Sequence, residues 1–342
     1  MTTLPLISLI LSILSASTHA FDQVYEQPVI GILTFPYTSS SLLPLSSDQS
    51  VVSNILNPSS LKFASSRFGE APDGAVSYFD ASYKQWLEEG GARVAPIPYD
   101  IDEDELTELF SKINGVLFTG GPATPETIPE YFKTASKIYG LVTESEDHVP
   151  LWGTCLGFET ISSIVAEGGE SVLGDFDAEQ ISLPLMFTGA ASESRVFGPE
   201  MPQQIKDILW SQNVTTNWHT YGVGVDNFES LLSSELVATS TNFDRGGLEF
   251  VSSMEHISKP VFAVQWHPES NQYDTTDKAG DDTPNRSAEG VQAMNYLSGW
   301  FVEEARKNDH SFEDGDDFKA HILSSEGDGV VFDNWVYWFE HS

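Results

Sequence analysis

The chain has 342 residues, 40% of them hydrophobic and 12% aromatic, enough for a large core, and its 16 Lys and Arg against 51 Asp and Glu give a formal net charge of −35. A surface that negative repels nucleic acid and anionic membranes, so neither is expected as a partner. The single cysteine, Cys155, excludes an internal disulfide and the common zinc-finger donor sets. No cluster has metal-ligand spacing, so no metal and no cofactor is expected.

In chain order, Met1 to Ala20 is an apolar run followed by small residues, which reads as a signal peptide cut near Ala20-Phe21. It directs the chain to a secretory route. Pro28 to Thr34 is a β-branched run expected to form a first buried strand, and Thr38 to Gly74, rich in Ser, Pro and Asn, is expected to be a long loop. Ala75 to Glu89 has apolar residues at helical spacing before Gly90-Gly91, so one helix is expected there. Val94 to Pro98 reads as an edge strand because of its prolines, Glu103 to Lys112 as a helix, and Gly115 to Phe118 as a strand running into Thr119-Gly120-Gly121. Pro129 to Glu144 reads as another helix. This alternation predicts a parallel sheet covered on both faces, with ligands at the carboxyl ends of its strands.

Val149 to Glu159 is the stretch around which the rest is arranged. A short apolar run ends at Gly153-Thr154-Cys155-Leu156-Gly157 and continues at helical spacing, the pattern of a nucleophile elbow written with sulfur. The helix N-terminus below it favours a thiolate. Taken alone, Cys155 reads equally as a nucleophile and as a small buried core residue.

Further on, Gln180 to Phe187 and Glu249 to Ser252 look like strands of a more mixed region, and Asn217-Trp218-His219 sets a histidine among aromatics. Pro260 to Val264 is an apolar strand that delivers Gln265-Trp266-His267-Pro268-Glu269 at its end. A cysteine, a histidine to take its proton and a carboxylate to orient the imidazole make a catalytic set if the fold joins them. The sequons Asn213-Val214-Thr215 and Asn285-Arg286-Ser287 make Asn213 and Asn285 glycosylation acceptors. After residue 312 the chain reads as an acidic C-terminal tail, 313–342, that ends in Trp335, Tyr337, Trp338 and Phe339. Docking of those aromatics on the core is expected, because large exposed apolar patches are uncommon.

Gly-Thr-Cys-Leu-Gly-Phe-Glu, the upstream Thr-Gly-Gly and the downstream Gln-Trp-His-Pro-Glu resemble the class I glutamine amidotransferase superfamily. More narrowly, Pro28 to Leu33, Ala81-Ser82-Tyr83, Gly91 to Val94, Ile113-Asn114-Gly115, Asn217-Trp218-His219 and Glu303 to Asn308 are similar to the folate gamma-glutamyl hydrolase family. The resemblance runs from about Pro28 to about Phe312, and residues 21–312 are taken as one catalytic domain. It implies a three-layer α/β sandwich with a mostly parallel central sheet, and a cysteine peptidase that cleaves gamma-linked glutamates from folate or antifolate polyglutamates. It also implies a homodimer and a secreted, lysosomal or vacuolar setting. By matching position, Cys155 is the nucleophile, His267 the general base and acid, and Glu269 the orienting carboxylate. Backbone N–H groups at Gly121 and Leu156 form the oxyanion hole, and His219 and Glu159 contact substrate. Hydrolysis of other gamma-glutamyl peptides and a secreted binding protein on the same fold remain the alternatives.

Overall fold

The computed structural model describes residues 27–37, 71–72, 74–123, 127–167, 172–273, 283–323, 330–333 and 336–340. The expected leader, 1–20, and nearly all of the expected loop from Thr38 to Gly74 lie outside them. Strand β1 (Val29–Leu33) is buried along its whole length, as an apolar run without polar alternation requires of a strand covered on both faces. It pairs in parallel with β4 (Arg93–Ile97) on one side and β5 (Gly115–Phe118) on the other. β5 pairs in parallel with β6 (Leu151–Thr154), and β6 with β12 (Val261–Val264). Beyond β12 the sheet turns antiparallel through β11 (Glu249–His256), β10 (Leu236–Phe243) and β8 (Met186–Phe187), giving the order β4-β1-β5-β6-β12-β11-β10-β8. β4, which contains Pro96, does lie at an edge.

Alternate residues of the central strands feed two apolar layers. Val116, Phe118, Leu151 and Ala263 pack with residues of α2 (Glu103–Phe110), α3 (Pro129–Glu144) and α4 (Leu156–Val165). Ile30, Leu117, Trp152 and Phe262 pack with residues of α1 (Ala81–Glu89), α5 (Gln203–Ser211) and α6 (Ala288–Ala305). Helix, sheet, helix is the expected three-layer arrangement.

The expectation of one helix from Ala75 to Glu89 is corrected. Ala75–Asp80 is a strand, β3, and only Ala81–Glu89 is helical. Asp80 divides the two: its side chain accepts the Ser82 N–H at 2.9 Å as an N-cap, which fixes extended backbone before it and helix after it. β3 exists because it has strand partners far along the chain. It lies between β2 (Phe35–Pro36) and β14 (Val336–Glu340), and β14 pairs in turn with β13 (Val330–Asp333). Such pairing is invisible to local periodicity. The segment taken as an acidic tail therefore holds a helix, α7 (Gly315–His321), and a hairpin that completes a second sheet. Tyr337, Trp338 and Phe339 are buried, Trp338 to 2% exposure, while Trp335 lies outside the described residues. A third, two-stranded sheet joins β7 (Gly174–Leu183) to β9 (Thr215–Gly222), so the strand expected from Gln180 to Phe187 is divided: its first part ends β7 and its last two residues form β8 in the main sheet.

Candidate active site

Three strand ends meet at the carboxyl edge of the parallel sheet. β6 and β12 run side by side in register, with Thr154 opposite Val264, so the residues that follow, Cys155 and the segment leading to His267, emerge together. The Cys155 N–H donates to the Val264 carbonyl at 2.9 Å, and the His267 N–H to the Thr216 carbonyl of β9 at 2.8 Å. Cys155 has φ 52° and ψ −105°, a backbone conformation L residues rarely adopt, at the junction of β6 and α4. Strain of this kind persists only where the surroundings enforce it. Here the glycines do so. A Cβ on Gly157 would collide with the Phe118 carbonyl, and one on Gly153 would lie 2.8 Å from the Gly157 carbonyl, so the elbow closes only with both positions bare.

The third strand end, after β5, brings Gly120 and Gly121 against the same group. A Cβ on Gly120 would sit 2.7 Å from His267 Cε1, 2.8 Å from the Tyr83 hydroxyl and 3.4 Å from Cys155 Cβ. One on Gly121 would sit 2.9 Å from Leu156 Cδ2. Cys155, His267, Gly121 and Leu156 are thus gathered at one place. Glu269 joins them. Its Oε1 lies 2.7 Å from His267 Nδ1, and both side chains are buried. That bond places the imidazole proton on Nδ1 and leaves Nε2 as the acceptor. Glu269 Oε2 has no hydrogen-bond partner among the described residues.

Burial pushes the Cys155 thiol well above its ordinary value, with the carboxylates of Glu159 and Glu269 adding to the rise and the Leu156 N–H opposing it. Glu159, on α4, is also buried. Its carboxyl is pushed up to about 8 by burial, opposed by a hydrogen bond from Gln265 Nε2 at 2.9 Å. His219 is drawn down to about 4, chiefly by burial. Its Nδ1 lies 2.7 Å from the Tyr221 carbonyl, its Nε2 lies 3.2 Å from Asn217 Oδ1, and its ring meets Phe250 edge-on at 4.9 Å. The two predicted substrate contacts are thus near the centre but already engaged with protein groups.

Tyr83 belongs to one of the segments that carry the resemblance, but its sequence context gives it no place at the site. Its hydroxyl accepts the Gly120 N–H at 2.8 Å and lies 3.5 Å from His267 Nδ1, at the start of a helix whose spacing signals only core packing. Burial pushes its phenol well above the usual range, and Glu269 and Cys155 add to the rise. Trp218, its ring 5.2 Å from that of His267, was read only as a neighbour of His219.

Other motifs lie elsewhere. Asn308 Nδ2 donates to the carbonyls of Asn114 and His148 at 2.8 Å each, and Asn114 Oδ1 accepts the Val29 N–H at 2.8 Å. Two of the motifs quoted above therefore clasp each other at the opposite, amino edge of the sheet. Arg93 begins β4 and Arg195 donates to the Lys259 carbonyl ahead of β12, so both arginines also lie at that edge. Arg245, between β10 and β11, is on the site's side. There it meets Asp177 Oδ1 at 2.9 Å and the Gln180 carbonyl at 3.0 Å. The two sequons adjoin: Asn285 Nδ2 donates to the Asn213 carbonyl at 2.7 Å, while Asn213 is itself exposed.

Residues 75–279 match the family described as glutamine amidotransferase class-I, the class whose fold and cysteine elbow the geometry displays. The chain is 35% identical to Gamma-glutamyl hydrolase B of Dictyostelium discoideum over 88% of its own length and 78% of that protein's. It is 40% identical to Gamma-glutamyl hydrolase of Mus musculus over 72% of its length and 77% of the relative's. It is 38% identical to the Homo sapiens Gamma-glutamyl hydrolase over 69% and 73%. The chain therefore belongs to the class-I glutamine amidotransferase family, on its gamma-glutamyl hydrolase branch.

Proposed function

We propose that this chain hydrolyses gamma-glutamyl bonds of folate polyglutamates through a thioester on Cys155. One observation carries the reading: a buried His267, its Nδ1 bonded to Glu269, stands beside a strained cysteine elbow at adjacent ends of β6 and β12. His267 Nε2 takes the thiol proton as sulfur attacks the gamma-amide carbonyl carbon. The carbonyl oxygen becomes an oxyanion, received by the N–H groups of Gly121 and Leu156, each such donor being worth about a hundredfold or more in rate. As the tetrahedral species collapses, the carbon–nitrogen bond breaks and the imidazolium gives its proton to the departing amine. Water then attacks the thioester carbonyl, losing a proton to His267, and the sulfur leaves and is reprotonated. Glu269 holds the ring in the tautomer that each transfer needs.

The substrate is a polyanion and the protein is acidic, so a local cation is needed where it enters. Of Arg93, Arg195 and Arg245, Arg245 is the one on the site's side of the sheet. The leader-like residues 1–20 and the exposed Asn213 support a secreted, lysosomal or vacuolar protein glycosylated there. Asn285 is the poorer acceptor because its amide is engaged, and assembly as a homodimer accompanies the proposal.

Hydrolysis of a pteroyl-polyglutamate by wild type and Cys155→Ala from acidic to neutral pH, with products resolved by chain length, tests the reading. Shortened chains from wild type alone are expected, with a loss of roughly 10⁴-fold or more in the variant. No shortening by wild type would overturn the folate assignment.

A further inference from the structure

Strand β14 is linked through two aromatic rings to the loop that bears the proposed oxyanion donor, and the chemistry above leaves it without a role. β14 is sandwiched between β13 and β3. Alternation along it sends Val336 and Trp338 into the apolar layer that holds Phe35, Tyr78 and Leu156, and Tyr337 and Phe339 into the opposite layer. The Trp338 ring lies 5.1 Å from that of Tyr78 and 5.2 Å from that of Tyr37. Tyr78 meets Phe35 edge-on at 5.5 Å, and Phe35 closes on Gly121, where a Cβ would lie 2.8 Å from Phe35 Cε2. A second line runs through the backbone. Val336 pairs with Asp80, Asp80 caps the helix that carries Tyr83, and Tyr83 accepts the Gly120 N–H.

Gly120 and Gly121 have no side chains with which to fix their own backbone, and glycine has the most conformational freedom to lose. Whatever holds their N–H groups must come from their neighbours. We infer that β14, anchored by Trp338, is a positioning element for the Gly120–Gly121 loop, so that the end of the chain sets the aim of an oxyanion donor it never touches. The inference rests on reading Gly121 as such a donor. Trp338 Nε1 finds no acceptor among the described residues, so the ring works by packing alone and phenylalanine is its conservative substitute.

The test compares full-length wild type, Trp338→Ala, Trp338→Phe and Phe110→Ala, the last a buried aromatic on α2 beside His310 at the sheet's amino edge. All are assayed well below their melting temperatures. For Trp338→Ala, kcat is expected to fall roughly tenfold to a hundredfold, with KM changed by less than about twofold, the pattern of an interaction lost only in the transition state. Trp338→Phe recovers most of that loss, and Phe110→Ala keeps wild-type kcat at a comparable fall in melting temperature. Equal kcat in Trp338→Ala and Phe110→Ala overturns the inference. If wild type itself turns over no polyglutamate, the functional reading fails first and alkylation of Cys155, the only thiol, decides the structural claim. A several-fold faster reaction with iodoacetamide in Trp338→Ala than in Phe110→Ala supports it, and equal rates overturn it.

Discussion

Two regions converge on Cys155 and are built on opposite principles. The carboxyl edge of β5, β6 and β12 is close-packed backbone: Gly120, Gly153 and Gly157 bring main chains and the His267 ring to distances at which a single Cβ would collide. The outer sheet of β2, β3 and β14 is an aromatic mesh in which Phe35, Tyr37, Tyr78 and Trp338 pack with centroids 5.1 to 6.4 Å apart. Where hydrogen bonds must be aimed, the chain uses bare backbone that has no slack. Where it needs only to hold that backbone still, it uses large rings, each of which contributes through area and tolerates a conservative exchange.

The contrast predicts unequal losses. Glu269→Gln, at the close-packed edge, keeps the size of the side chain but removes the charge that supports an imidazolium, and kcat is expected to fall by about 10²- to 10⁴-fold with the fold intact. Steady-state kinetics at the pH of maximum rate checks this, and a loss below tenfold would remove Glu269 from the proton path. Tyr83→Phe joins the two regions, because it deletes the acceptor of the Gly120 N–H while keeping the ring. A buried donor left unpaired costs about 1–3 kcal/mol, so a kcat loss of roughly tenfold is expected. A loss as large as that of Glu269→Gln would mean that the hydroxyl itself moves a proton.

The smallest effect concerns pH. The folded Glu159 carboxyl sits near 8, above its unfolded value, so folding favours its protonated form and stability declines as pH rises from the ordinary carboxylate range towards about 8. The folded His219 sits near 4, below its unfolded value, so its contribution runs the other way and stability is lost as pH falls from the ordinary histidine range to about 4. Glu159→Gln should flatten the alkaline side of the stability curve, gaining up to ~1.4 kcal/mol per pH unit relative to wild type across that window. Thermal melts of both proteins at mildly acidic and mildly alkaline pH read it directly. Parallel curves would mean that Gln265 and the field around Glu159 keep the carboxylate charged.

By itself the sequence determined the parallel core and the chemical centre. The runs Val29–Leu33, Gly115–Phe118, Leu151–Thr154 and Val261–Val264 are short, apolar and buried on both faces, a property each carries within itself. The elbow glycines and the His-Pro-Glu segment are likewise local patterns whose chemistry shows in a few residues. Only tertiary structure decided that Ala75–Asp80 is a strand and not the first half of a helix, since its partner lies at residues 336–340. The same distance hid Tyr83, whose neighbours Gly120 and His267 are contacts of the fold, and hid the assignment of the last aromatics to a sheet. Helical periodicity and acidity are summed over neighbours in sequence, whereas strand pairing and a buried hydroxyl's acceptor role are settled between segments that meet only when the chain is folded.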